Sequence, residues 1–306
     1  MFVESSGIAC FGCCKTERSC LRSRSEAFDS ISEVVRVWQG AGLTSLTIWA
    51  GWENRGQSSL NLASDSRITF ANGECWDQAR KIFASRRLPV MMGFVGDVMF
   101  PYNALTTVLS RMDIGFFSDD LESAVQEVVV AIEHLWRAYP VGQRFKTEIF
   151  VAYRLESGMG SEFKLVNLSS PTGSETSWTK RRISMPSTSA NLVIRGSGAN
   201  SVRAASDVWA TRVARGTSRA VFSALVDSIR SGADPSSGGA PQVASLHRIG
   251  PAKAFGVIYG DKRYFEGAYL VGTEQLPINE FRGELFERRD GVTKHLLSGA
   301  QVHTRH

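Results

Sequence analysis

Three hydroxyl side chains, Thr44, Ser45 and Thr47, crowd the start of LTSLTIWAGW, Leu43 to Trp52. The rest of the run is apolar and reads as a strand entering a core, which has little use for so many hydroxyls at its mouth. A hydroxyl in such a place is a candidate nucleophile once a neighbouring base takes its proton. Other polar residues follow at intervals: Asp65 in ASDSR, Lys81 in ARKIF, Gly93 to Asp97 as GFVGD, Ser197 in RGSGAN, and Asp234 to Gly239 as DPSSGG. Each also has an ordinary structural reading: an Asp65–Arg67 salt bridge at a hairpin end, a surface lysine, plain turns, a loop.

The elements that must position these residues can be traced along the chain. SEAFDSISEVVRVWQG places Phe28, Ile31, Val34, Val35 and Trp38 on one face, so the spacing predicts an amphipathic helix over 26–38. Two apolar runs, TSLTIWAGW and SSLNLASDSRITF, flank the polar turn ENRGQ and predict a hairpin. PVMMGFVGDV reads as a buried strand, followed by a helix at YNALTTVLSRM. Asp119 and Glu122 predict a capping box for the helix LESAVQEVVVAIEHLWRAY, which carries a wide apolar face. KTEIFVAYRLE, EFKLVNLSS and ANLVIRGSG read as strands, with a Ser/Thr-rich surface loop from Ser169 to Ser189. A helical section over 199–231, broken at Gly216, precedes the strands PQVASLHRIG, AKAFGVIYG and RYFEGAYLV. The tail from Asn279 onward reads as a helix with a polar end, its histidines solvated. The alternation of strands with helix pairs allows two stacked sheets with two helices outside each.

Composition narrows the classes. The 306 residues are 43% hydrophobic and 21% charged, which is ordinary for one large or two small globular domains. The net charge of +5 is dispersed, and its tightest cluster, Lys180 to Arg182, has no interleaved aromatics, so no nucleic-acid platform is expected. No apolar run reaches the roughly 20 residues that span a bilayer, and no basic-then-apolar leader stands at the start, so a cytoplasmic protein without membrane partners is expected. Cys10, Cys13, Cys14 and Cys20 lack a second ligand pair, and the first histidine is His134, so neither a metal nor another cofactor is expected. Cys75, alone in the body, fits a reduced compartment.

Taken together and in order, the motifs resemble the proteasome family of N-terminal-nucleophile hydrolases, in particular active β-type subunits and bacterial proteasome-like peptidases. The resemblance runs from about Thr44 to Tyr269 through TSLTI, DSR at Asp65 to Arg67, Lys81, GFVGD, GSG at Gly196 to Gly198, and DPSSGG. The intervals from Asp65 to Lys81 and from Ser197 to Asp234 also fit. It implies an α+β fold, a four-layer αββα sandwich over residues 44–306, and a threonine-type peptidase or amidohydrolase. In such enzymes the nucleophile's own α-amine, of pKa ≈ 7.7–8.0, serves as the base. A buried lysine beside it favours the neutral amine and the developing alkoxide, and needs a carboxylate to offset its desolvation. The resemblance gives these roles to Lys81 and Asp65, the oxyanion hole to the backbone N–H of Gly93, and the holding of the amine to Ser197, Asp234 and Ser237. It also implies a peptide or protein substrate and a homo-oligomeric ring, and it allows an ATP-dependent unfoldase as partner.

Thr44 is the first choice of nucleophile and Ser45 the second, because the hairpin between this strand and Asp65 is a few residues longer than the family's. An internal Thr44 has no free amine. Residues 1–43 are therefore expected to be an extension, largely disordered apart from the 26–38 helix. They are a propeptide cut at Leu43–Thr44, or upstream sequence bypassed by initiation at Leu43. Retained intact, they belong to an inactive ring subunit. A small-molecule amidase on the same fold is a further reading.

Overall fold

Residues 44–171, 177–272 and 280–304 are described by the structure, a computed structural model, and all fall in the compact unit Gly40–His306. The expected helix over 26–38 and the four N-terminal cysteines lie outside the described residues.

The hairpin forms where the apolar runs predict it. Strand β1 (Leu46–Glu53) pairs antiparallel with β2 (Gly56–Ser64), Leu46 opposite Ser64, and the turn closes on Gly56 at φ +100°. That left-handed value is one a glycine adopts without strain. Strand periodicity sends Leu46, Ile48, Leu60 and Leu62 to one face and Trp49 and Ala63 to the other. Two short strands, β3 (Ile68–Thr69) and β4 (Cys75–Trp76), pair beyond the hairpin. They are followed by β5 (Ile82–Ala84), β6 (Val90–Gly96), and the helices α1 (Met99–Asp113) and α2 (Leu121–Ala138). Next come β7 (Thr147–Leu155), β8 (Glu162–Ser169), β9 (Thr179–Ile183) and β10 (Ala190–Arg195), then α3 (Ala199–Ala210) and α4 (Ser218–Ser231). The chain continues through β11 (Gln242–His247), β12 (Lys253–Tyr259), β13 (Lys262–Phe265), β14 (Ala268–Tyr269), β15 (Glu280–Arg282) and β16 (Arg288–Asp290).

Helices and strands thus form a mixed α and β protein with two main sheets. The larger runs β10-β1-β2-β11-β12-β13-β14, with β15 and β16 joined through β12; the smaller runs β5-β6-β7-β8-β9. Three apolar clusters follow from the alternation in the strands. Leu46, Ile48, Leu60 and Leu62 of the large sheet meet Met91, Val95, Phe150 and Leu165 of the small one. The opposite face of the small sheet, through Met92, Phe94, Ile149 and Val151, meets Leu105 and Val108 of α1 and Val128, Ile132 and Trp136 of α2. The opposite face of the large sheet, through Trp49, Ala63, Val243 and Val257, meets Val202 of α3 and Phe222, Leu225 and Val226 of α4.

Three local expectations change. Helix α2 starts one residue later than the expected box, so Asp120 is its cap and accepts the Ser123 N–H at 2.9 Å. Asp119 instead reaches Arg87. The expected loop from Ser169 to Ser189 contains β9, an edge strand paired to β8. Its sequence TKRRI is polar and mostly exposed, so no apolar alternation marks it. The tail read as a helix forms β15 and β16, joined by a turn at Gly283 to Phe286, where Phe286 takes φ +64°. Its anchor is Phe281, fully buried.

Candidate active site

The strand ends carry the site. Asp65 directly follows β2 and Lys81 directly precedes β5, so the two lie where an end of each sheet meets the other. Lys81 Nζ stands 2.8 Å from Asp65 Oδ1, and both side chains are 0% exposed. The same Oδ1 accepts the Ser45 N–H at 3.0 Å, while Oδ2 accepts the N–H groups of Arg67 and Gly238, each at 3.1 Å. One ammonium and three backbone N–H groups therefore satisfy the carboxylate, as a buried charge requires. Burial lowers the proton affinity of the Lys81 amine, against the opposing pull of the Asp65 charge and hydrogen bond. Asp65 does not pair with the Arg67 side chain, whose guanidinium forks onto Asp77 at 2.6 and 2.8 Å.

A second group sits beside this pair. Ser197 Oγ and Ser237 Oγ both donate to Asp234 Oδ2 at 2.7 Å, and the Ser236 N–H donates to Oδ1 at 3.1 Å. Burial alone would raise the Asp234 carboxyl, but the hydrogen bonds of Ser197, Ser237 and Ser236 outweigh it and hold the group below its ordinary 3.8. Ser237 Oγ also shares a hydrogen bond of 2.8 Å with Ser45 Oγ. The single Ser237 hydroxyl hydrogen goes to the carboxylate, so Ser45 is the donor. GSG is glycine-flanked for space. A Cβ at Gly196, itself at φ +97°, would overlap the Thr44 carbonyl, and one at Gly198 would overlap Ser45 Oγ.

Of the two candidate nucleophiles, Ser45 faces Ser237 and Asp234. The ladder bond from Asp65 N–H to the Ser45 carbonyl (3.1 Å) carries strand alternation back to Thr44. Thr44 therefore shares the face of Leu46, toward the small sheet. It is fully buried, and among the described residues its Oγ1 has no hydrogen-bond partner. Gly93 lies on the same intersheet face; a Cβ there would stand 2.9 Å from Leu62 and 3.2 Å from Leu46.

The register of β6 with β7 changes what Gly93 can offer. Asp97 N–H donates to Lys146 O and Arg154 N–H to Pro89 O, each at 3.1 Å, and both fit the register that sets Gly93 opposite Phe150. Bonded pairs alternate in an antiparallel ladder, so Gly93–Phe150 is a bonded pair and the Gly93 N–H points at β7. The expectation that this N–H faces an oxyanion is corrected for that reason. By the same alternation the N–H groups of Phe94 and Gly96 face the β5 side; the Phe94 N–H meets the Lys81 carbonyl that closes the last pair, Ile82–Gly93, and the Gly96 N–H lies beyond it.

Sequence reading missed Gln242, the first residue of β11 and 2% exposed. Its Oε1 accepts the N–H groups of Lys81 (2.9 Å) and Ile82 (3.2 Å). Its Nε2 contacts the Asp65 carbonyl (3.0 Å), Ser66 Oγ (3.1 Å) and the Ala79 carbonyl (2.8 Å). The only signal was a polar amide opening a buried apolar strand. Beside Ser237 and Gly238 opens a cleft of about 560 Å³, lined also by Arg67, Tyr259, Tyr264 and Tyr269. Among the described residues, no cluster of His, Cys, Asp or Glu could hold a metal, and no helix is long and apolar enough to cross a membrane.

No family model and no curated protein matches the chain. Among solved structures it is similar to eukaryotic HslV from Trypanosoma brucei, at 14% identity, covering 67% of this chain and 99% of that chain, with a TM-score of 0.42. A likeness of that size fixes neither an activity nor an assembly.

Proposed function

We propose that this cluster is the active site of a threonine-type amide hydrolase, with Thr44 as nucleophile once the chain begins there. The observation that carries the reading is the fully buried Lys81–Asp65 pair, whose carboxylate also holds the Ser45 N–H, with the buried Thr44 hydroxyl one residue earlier and without a hydrogen-bond partner among the described residues. A buried ion pair adds little net stability against an apolar pair of the same size, so a functional reason for keeping it is favoured.

In this reading the α-amine of Thr44 takes the hydroxyl proton, and Oγ1 attacks a peptide or other amide carbonyl. The lysine charge stabilises the developing alkoxide and keeps the amine neutral. The proton passes to the leaving amine as the C–N bond breaks, and water then hydrolyses the ester on Thr44. Ser197, Asp234 and Ser237 hold the amine. Gly93 supplies room on the intersheet face, and the oxyanion is met by an N–H on the β5 side beyond the end of the ladder, that of Gly96. We read the three apolar clusters as the seams of a four-layer αββα sandwich, and the assembly as a homo-oligomeric ring in the cytoplasm. Proteins are its substrates where an ATP-dependent unfoldase delivers them, and peptides otherwise.

Mass spectrometry of protein purified from its native host should find a chain starting at Thr44, modified there by a peptide-based covalent inhibitor. An active chain with residues 1–43 intact would overturn the reading. An intact chain without hydrolase activity would favour a non-catalytic ring subunit, in which Thr44→Ala and Lys81→Ala leave biological activity unchanged. Hydrolysis of small amides with no labelling by the peptide inhibitor would point to a small-molecule amidase.

A further inference from the structure

Gln242 has no role in the chemistry described above, yet its one side chain touches five polar groups. Both lone pairs of Oε1 are used, by the N–H groups of Lys81 and Ile82. The two hydrogens of Nε2 are shared among the Asp65 carbonyl, Ser66 Oγ and the Ala79 carbonyl. Gln242 belongs to the large sheet, opposite Ser64, and Lys81 to the approach of β5 in the small sheet. The amide therefore spans the two sheets at the point where they carry Asp65 and Lys81.

The β5 ladder explains why a side chain is needed here. Ser85 N–H donates to Val90 O at 3.0 Å, so bonded pairs alternate to Phe83–Met92 and leave Ile82–Gly93 as a non-bonded pair. The Ile82 N–H thus faces away from β6, and Lys81 lies outside the ladder. Gln242 accepts both of these N–H groups, which would otherwise be buried donors without a strand partner. A lysine side chain has four rotatable bonds, and fixing its Cα end limits where Nζ can go.

We propose that Gln242 is a positioning residue of this site: it ties the backbone of Lys81 to that of Asp65 across the two sheets and so keeps Nζ on Oδ1. The inference rests on the reading of the Lys81–Asp65 pair as catalytic machinery, but its test has a readout that does not depend on activity. Among the described residues, the charges that face the Lys81 amine include Asp65 in contact and Asp234 and Asp77 farther off. Loosening the contact with Asp65 while the amine stays buried should lower its titration midpoint.

The test compares three variants with the wild-type protein, all in the mature form. Gln242→Met keeps the length and removes the hydrogen bonds; Gln242→Glu keeps the accepted bonds and adds a charge. Val226→Ala, in the cluster under α4, is a control that lowers stability away from the site. Lys81 is titrated by NMR, assigned by its loss in Lys81→Met, and kcat and KM are followed across pH. In Gln242→Met, kcat should fall about tenfold to a hundredfold with KM little changed. The Lys81 midpoint should fall, while Val226→Ala moves neither. Should the methionine variant not fold, Gln242→Glu decides: its added carboxylate should raise the Lys81 midpoint and shift the kcat–pH profile with it. A folded Gln242→Met with the wild-type midpoint and profile, whatever its melting temperature, would overturn the proposal. So would a Gln242→Glu protein with an unmoved midpoint. A wild-type protein with no hydrolase activity would instead overturn the reading of Thr44, and the Lys81 titration would still decide the role of Gln242.

Discussion

Asp65 and Asp234 belong to one polar cluster but live under different rules. Asp65 is sealed from water, with an ammonium and three backbone N–H groups around it. Asp234 is part-exposed and held by two hydroxyls and a backbone N–H that can yield to water. The inner half is therefore all-or-none, because removing one partner strands a charge in the interior. The outer half is adjustable, because water replaces what a substitution removes. The contrast separates residues whose loss destabilises the protein strongly from residues whose loss leaves it folded.

The largest effect should fall on activity alone. On the proposed reading, Thr44→Val in a chain that begins at residue 44 should lower hydrolysis by about a thousandfold or more, as removal of a nucleophile does. Its melting temperature should hold, since the lost hydroxyl has no partner among the described residues. A large drop in melting temperature would show that Thr44 serves packing. Next, Asp65→Ala should cost about 3–5 kcal/mol in urea unfolding, and Asp65→Ala with Lys81→Met should recover much of that loss. Additive losses would break the contrast, because the pair would then be no tighter than the rim.

Asp234→Asn tests the outer half and should cost no more than about 1 kcal/mol, given its exposure to solvent. Its pH dependence has a definite sign. The Asp234 carboxyl is held below its ordinary 3.8, so its contribution is present above that value and is lost as pH falls toward the folded value. The asparagine variant should accordingly lose stability less steeply in acid titrations below about pH 4. Smallest of all, Arg67→Lys should change stability by less than about 1 kcal/mol. Its fork onto Asp77 is half in water, and only its backbone N–H serves Asp65.

Much of the candidate site's convergence was legible in the sequence because its parts are local. DSR, GSG and DPSSGG each bring a side chain or a glycine that works through its immediate neighbours, and Asp65, Lys81, Ser197, Asp234 and Ser237 do converge. The Gly93 N–H was not legible, because its direction depends on the parity of a ladder whose partner strand lies more than fifty residues on. Gln242 was hidden for a related reason: its five contacts come from two segments, 65–66 and 79–82, both more than 150 residues earlier. Strand β9 escaped because an exposed edge needs no apolar alternation, and the α2 cap shifted by one because Asp119 and Asp120 are both good caps.

The tail strand β15 has a consequence for self-association. On one side of β12, β11 pairs with residues as far as Phe255, and there β15 takes over, in parallel, opposite Gly256 and Val257. On the other side, β13 covers the same two residues. The Phe281 ring lies over Gly256 so closely that any Cβ there would overlap it, and the glycine's bare backbone is thereby shielded. Without this strand, β12 would present unpaired N–H and C=O groups along an apolar segment, the kind of edge on which a second molecule can add its own strand. The last stretch of the chain, remote from any chemistry, thus helps the protein resist clumping.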